Sequence, residues 1–295
     1  MIPVCFSDRM AADSGAFSPS AGKPVHVLAS WQARGFPIDV FEPEPLSADD
    51  LAVAHDPTMV EDILAGRRSN GFGNRSPEVA RTLPYTSGAM VAAAERALDT
   101  RRVAAATCSG FHHACYASTG GFCTFNGLMV TACLLRRRRG LDRVAILDFD
   151  EHYGNGTEDI IRHLGIDWIV HDTAGRHGYR PAQAEAFLSR IPAILETMGG
   201  CDVVLYQAGA DPHVDDPLGG FLTTEQLYRR DRSVFEWCRR LGLPVAWNLA
   251  GGYQKRAGFT GAEEIRPVLD IHDNTMKACV EVYEHGVAHP VPAGT

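Results

Sequence analysis

The stretch "ILDFDEHYGNGTEDI", residues 146 to 160, sets Asp148, Asp150 and His152 at alternate positions where an apolar run ends. In extended chain such residues share one face, roughly 6 to 7 Å apart. Asp150 and His152 then have a common face from which to hold one cation, with Asp148 further back. Two carboxylates and an imidazole leave a divalent ion an open position for water, as a hydrolytic metal site requires. The remaining ligand must come from another strand end. Asp211, directly after "YQAGA", is the best placed, with Asp215 and Asp216 less so.

A second group lies in "CSGFHHACY", residues 108 to 116. Adjacent imidazoles repel if both are charged, so one of His112 and His113 stays neutral as a base while a carboxylate holds the other. Asp148 is a candidate for the holding. Tyr253 follows two glycines, which let a loop approach a metal centre closely, and its phenol can donate to a developing oxyanion. Each signal has a plainer reading: Asp148 and Asp150 as helix caps, His152 as a core histidine, Gly-Gly-Tyr as a turn. Their occurrence together, each at the end of an apolar run, favours chemistry.

Those runs are the elements that must position them. "RVAAAT" (102–107), "RVAILDF" (143–149), "DWIVH" (167–171), "DVVLYQAG" (202–209) and "LPVAWNLAGG" (243–252) lack polar alternation, as strands of a parallel sheet covered on both faces do. Helix-like segments fall between them. Residues 86–100 and 222–242 are the clearest, the second opening on Thr223 and Gln226 at capping-box spacing. Strands alternating with helices predict an α/β, doubly wound, mainly parallel sheet with helices on both faces, which binds its ligand beyond the carboxyl ends of the strands. Residues 74–88 read as a long surface loop and the tail beyond His289 as frayed. No repeat or linker divides the 295 residues, so a single domain is expected.

Composition excludes other classes. The formal charge of -8 argues against a nucleic-acid footprint. The one basic run, Arg136 to Arg139, reads as the last turn of a helix. Eight cysteines without a CxxC pair read as reduced, mostly buried side chains and not as a zinc knuckle. With no signal-like N-terminus and no long apolar window, the expectation is a cytoplasmic protein without a membrane span, and its two glycosylation sequons read as chance matches.

The blocks "SGFHHACYASTGGFCTFN", "LDFDEHYGNGTED", "YQAGADPHVDDPLGG" and "NLAGGYQKR" resemble, in order, the signature blocks of the histone deacetylase superfamily. That superfamily includes acetylpolyamine amidohydrolases and acetoin-utilisation proteins. "GGYQKR", "RRD" and "LGG" are similar to its class IV branch. The resemblance implies metal ligation by Asp150, His152 and Asp211, a general base at His113, a His112–Asp148 pair and a carbonyl polariser at Tyr253. It further implies substrate contacts at Gly121 and Phe122, with Leu218 and Tyr179 as wall residues. Zinc or ferrous iron is the implied metal, with a structural potassium ion near Asp148, Asp150 and His152.

Departures from the pattern are Glu151, Tyr153 and Ala250, none of which removes a catalytic group. Asn155 stands where some branches have Asp, and an amide stabilises an imidazolium less than a carboxylate does, which predicts a less basic His113. The expected activity is a metal-dependent amidohydrolase freeing acylated lysines, with acylpolyamines or small acylated amines as the alternative substrates. A ureohydrolase with paired manganese ions is a second enzymatic reading, and an acyl-amine binding module the non-enzymatic one. Acyl chain and oligomeric state are not legible.

Overall fold

The computed structural model describes residues 1–285; the tail expected to fray lies outside them. Seven strands form one all-parallel sheet: β1 (Ile2–Cys5), β2 (Ile38–Phe41), β3 (Val103–Ala106), β4 (Val144–Asp148), β5 (Ile169–Thr173), β6 (Val203–Gly209) and β7 (Val245–Ala250). Their order across the sheet is β2-β1-β3-β7-β6-β4-β5. The helices are α1 (Lys23–Ala33), α2 (Ala48–Leu51), α3 (Pro57–Leu64), α4 (Pro77–Thr100), α5 (Gly127–Arg139), α6 (Asn155–His163), α7 (Ala184–Glu196), α8 (Thr224–Leu241), α9 (Gly261–Glu264) and α10 (Arg266–Val280).

Side chains of successive strand residues enter opposite layers, the geometric consequence of a two-residue period. Ala145 and Leu147 of β4 and Val204, Tyr206 and Ala208 of β6 pack with α1, α7, α8 and α10. Val144 and Ile146, Val203 and Leu205 pack with α3, α4 and α5. Burial on both faces is why β3, β4, β6 and β7 carry no polar alternation. The doubly wound parallel sheet expected from sequence is thus the observed fold.

The predicted caps of α8 are present: Thr223 accepts from the Gln226 backbone and Gln226 reaches back, and Gly242 ends the helix in a left-handed conformation. Arg136 to Arg139 form the last turn of α5. Seven of the eight cysteines are buried and all are free.

Residues 74–88 are not the surface loop expected. Ser76 caps α4 and Pro77 takes its first position, so the helix runs through Pro84 and Gly88 to Thr100. Both apparent helix breakers serve a crossing chain. Leu46 N–H donates to the Pro84 carbonyl at 3.2 Å, and a side-chain carbon on Gly88 would collide with the Glu44 carbonyl. The sequence reading also passed over β1 and β2, the second of which is a half-exposed edge.

What positions the site is the alignment of four strand ends. Ala106 pairs with Asn248, Asn248 with Gln207 and Gln207 with Asp148, one row across β3, β7, β6 and β4. The polar blocks follow that row within a few residues.

Candidate active site

Just past β4, the Asp150 carboxylate accepts from its neighbour's backbone, His152 N–H, at 2.9 Å. His152 Nδ1–H donates to Asp211 Oδ2 at 2.9 Å, so the chain turns both the imidazole and Asp150 toward the end of β6. One donor atom from each of Asp150, His152 and Asp211 lies within 4.8 Å of the others. The carboxylates hold His152 up to about 11, and burial together with Asp150 pushes Asp211 up to about 7. Two buried carboxylates sharing one imidazole are a charge arrangement that a divalent cation satisfies, so the donor set fits the implied metal. Asp215, weighed as a lesser ligand, points to solvent. Asp216 is engaged with backbone N–H groups instead.

The tandem histidines leave the end of β3 through a bend. Phe111 and Phe122, on either side of them, are non-glycine residues at positive φ, 97° and 62°, a costly conformation held by packing. His112 Nδ1–H donates to Asp148 Oδ2 at 2.7 Å. Burial opposes the charging of His112, yet Asp148 and Asp150 outweigh it and push the imidazole up to about 9. Asp148 is itself fixed by Gln207 Nε2 at 3.0 Å and by Asp150 N–H at 3.2 Å.

His113 lies tilted against His112, with ring centroids 4.1 Å apart, and stands 5.9 Å from the His152 ring. Its Nδ1–H donates to Asn155 Oδ1 at 2.6 Å. Burial first, and then the neighbouring His112 charge, lowers its pKa, with the Asn155 bond opposing. The direction is the one expected, but its causes are burial and the His112 charge and not the amide, whose bond acts the other way. The two imidazoles are thereby divided, one held charged and the other neutral.

Gly121 adjoins this pair at φ 54°, and a side-chain carbon there would meet His113 Cγ at 2.8 Å. Tyr253 arrives from the end of β7 behind Gly251 and Gly252. A Cβ on Gly251 would enter the Asp211 carboxylate, so the glycine allows the loop to cross close over that side chain. Burial, then Asp211 and Asp150, raises the Tyr253 phenol and keeps it a donor. Its ring lies 5.7 Å from Phe122 and is stacked on exposed Phe17 at 6.2 Å.

Leu218 is exposed on the loop after β6, followed by Gly219, which faces the Glu151 side chain. Tyr179 is placed elsewhere: its ring packs on Phe187 and Phe221, and its hydroxyl accepts from Arg190 at 2.6 Å. Those contacts belong to the core beneath α7 and not to the Phe17, Tyr253 and Phe122 group. Glu151, half-buried, is pushed up to about 7 by burial and then by Asp211. Tyr153 hydrogen-bonds Glu158 on the outside of α6.

Sequence reasoning missed two groups. Lys23 is fully buried, donates to the Gly251 carbonyl at 2.6 Å, and is brought down to about 8 by burial against the pull of Asp211 and Asp150. Arg230 is fully buried beneath β4, where Nη1 donates to the Phe149 carbonyl at 2.9 Å and Nε to Asp231 at 2.8 Å. The "RRD" triplet contained the second signal, but a basic residue in a charged helix reads as surface.

Residues 23–166 and 166–265 match the histone deacetylase domain. The chain is 29% identical over 278 residues to an uncharacterised protein of Picosynechococcus sp., covering 84% of this chain and 87% of the relative. It is 27% identical over 273 residues to a probable deacetylase of Methanothermobacter thermautotrophicus, covering 81% of each. Among solved structures, the acetylpolyamine aminohydrolase of Burkholderia pseudomallei superposes with a TM-score of 0.72 at 19% identity, over 96% of this chain and 99% of that one. At that identity the likeness concerns the fold alone. The domain match spans most of the sequence, and with the fold it establishes that this chain belongs to the histone deacetylase superfamily, as a hydrolase of the deacetylase type.

Proposed function

We propose that the protein is a metal-dependent amidohydrolase that removes acyl groups from lysine side chains. The observation that carries the reading is the meeting of a three-residue metal cluster with a neutral imidazole, a charged imidazole and a buried phenol. Asp150, His152 and Asp211 would hold zinc or ferrous iron, which when bound polarises the amide carbonyl and acidifies a water molecule.

His113, held through Nδ1–H by Asn155, accepts the proton of the attacking water at Nε2. The Tyr253 hydroxyl donates to the oxygen that gains charge as the carbon becomes tetrahedral. His112, kept cationic by Asp148, adds positive charge nearby. His113 then gives its proton to the departing nitrogen as the C–N bond breaks, leaving a carboxylate and a free amine. Gly121, Phe122 and Leu218 contact the aliphatic tether. Tyr179 had the same proposed role, but its packing under α7 removes the support for it.

Support for the potassium ion implied near Asp148 is the buried Asp172 Oδ1, which has no hydrogen-bond partner among the described residues. The "GGYQKR" segment supports assignment to the class IV-like branch. The name of the probable deacetylase relative agrees with a deacylase.

The test is a panel of acyl-lysine peptides and acylpolyamines, with short, long and hydroxylated acyl chains, assayed for released amine with metal-replete and chelated protein. Turnover of acyl-lysines that chelation abolishes is expected. Stoichiometric metal without turnover of any member would reduce the protein to a binding module. Two metals per chain and urea release would favour the ureohydrolase reading.

A further inference from the structure

Tyr253 is reached through Gly251 and Gly252, at φ 49° and 88°, and Lys23 Nζ holds the Gly251 carbonyl at 2.6 Å. The tyrosine's own backbone is tied from the other side of the cleft. Tyr253 N–H donates to Asp216 Oδ2 at 2.8 Å, while Asp216 Oδ1 accepts from Leu218 N–H at 3.0 Å. One carboxylate thus joins the phenol-bearing loop after β7 to the rim loop after β6. A second tie runs beside it: His213 Nδ1 accepts from Gln254 Nε2 at 2.8 Å and from Asp215 N–H at 3.1 Å, and its Nε2–H donates to Thr224 Oγ1 at 2.9 Å.

Asp216 is buried and both its oxygens serve backbone N–H groups; no Lys or Arg side chain forms an ion pair with it among the described residues. A turn alone is made as well by Asn or Ser. A charge kept there with no ion pair in contact is costly to bury, and what it gains is two charge-assisted bonds.

We propose that Asp216 is a positioning residue for the reaction, acting through Tyr253: its carboxylate fixes the phenol over the cleft and ties that setting to the Leu218 rim. This rests on the deacylase reading given above. Asparagine at position 216 keeps one acceptor and turns an N–H group toward one of the two backbone donors. Misplacement of a reacting group by about 1 Å costs on the order of 10²-fold, so Asp216→Asn is expected to lower kcat by about 10- to 100-fold. KM, metal content and affinity for a hydroxamate stay close to the parent.

A residue that merely holds the fold together does not predict the next result. In a Tyr253→Phe background there is no hydroxyl left to place, so adding Asp216→Asn should lower kcat by less than about threefold. If Asp216→Asn fails to fold or loses metal, replacing Tyr253 with its α-hydroxy acid analogue deletes the N–H donor while leaving every side chain in place. That protein should show the same loss of kcat. Equal losses of kcat in the presence and absence of the Tyr253 hydroxyl, or an ester variant with parental kcat, would overturn the inference while the deacylase reading stands. A metal-replete parent without turnover would overturn both.

Discussion

At the residue scale the proposed chemistry depends on a division of labour between like groups. Two adjacent histidines differ because one faces the Asp148 carboxylate and the other an Asn155 amide. Replacing Asn155 with Asp adds a negative charge to His113, which raises its pKa. His113 is active only when neutral, so the acid limb of kcat/KM should move to higher pH in Asn155→Asp, as a rate profile across pH 5 to 9 would reveal. An unmoved limb would show that His113 is not the base.

Asp211→Ala should release the metal and abolish turnover with the fold intact, read by metal analysis and circular dichroism. Tyr253→Phe should lose about 10² to 10³ in turnover yet bind a hydroxamate within about tenfold of the parent, roughly 1.4 kcal/mol. Near-parental turnover would make this tyrosine part of a turn and nothing more. These residues were legible because their types stand at the ends of apolar runs. Lys23 was not, because its partner is a backbone carbonyl 228 residues away, and Asp216 was read only as a lesser metal ligand, because the Tyr253 N–H it accepts from lies 37 residues away; no local spacing announces a contact with a distant peptide group.

At the element scale, continuous apolar runs revealed the buried strands, and the capping box with its terminal glycine revealed α8. β2 buries too little to leave such a run. α4 was hidden by Pro84 and Gly88, residues that normally mark helix ends, here accommodated because another chain segment packs against them. Gly88→Ala separates the two influences. Alanine gains about 1 kcal/mol in helix propensity, while a side chain driven into the Glu44 backbone costs about 1 to 3 kcal/mol. The variant should therefore be less stable in urea; a more stable one would mean that the 44–46 segment yields freely.

Across the whole molecule, buried histidines couple stability to acidity. His55 is brought down to about 4 by burial, with Nδ1–H donating to the Cys115 carbonyl at 2.9 Å and Nε2 accepting from Asn126 N–H at 2.8 Å. Burial likewise brings His171 down to about 4 and His272 well below its ordinary value. A lowered folded pKa means that the unfolded chain binds more protons between about pH 6.5 and 4, so stability falls as pH drops through that window. His55 alone accounts for roughly 3 kcal/mol across it. The raised carboxyls of Asp211 and Glu151 act in the opposite sense over the same window, so the histidine contribution is read by difference: between pH 7 and 4.5, His55→Asn, which keeps a donor to Cys115, should lose less stability in urea than the parent, by about one proton of slope. An identical slope in the variant would place the acid sensitivity elsewhere. None of the described helices is long and apolar enough to cross a membrane.

The strand order also bears on how the molecule is made. Without β7 the sheet is two separate ribbons, β2-β1-β3 and β6-β4-β5, since β3 pairs only with β1 and β7, and β6 only with β4 and β7. His112 belongs to the first ribbon and Asp148, 2.7 Å away, to the second; the Gly156 and Thr157 N–H groups also donate to the His112 carbonyl, but within the sheet β7, the last of the described strands, is what joins the two ribbons. A ribosome-bound chain that has not yet exposed residues 245–250 holds both halves of the cleft without the strand that joins them in the sheet. Protease protection and hydroxamate binding should then appear together, late, and in one step as β7 emerges, a dependence on distant contacts that makes for slow folding.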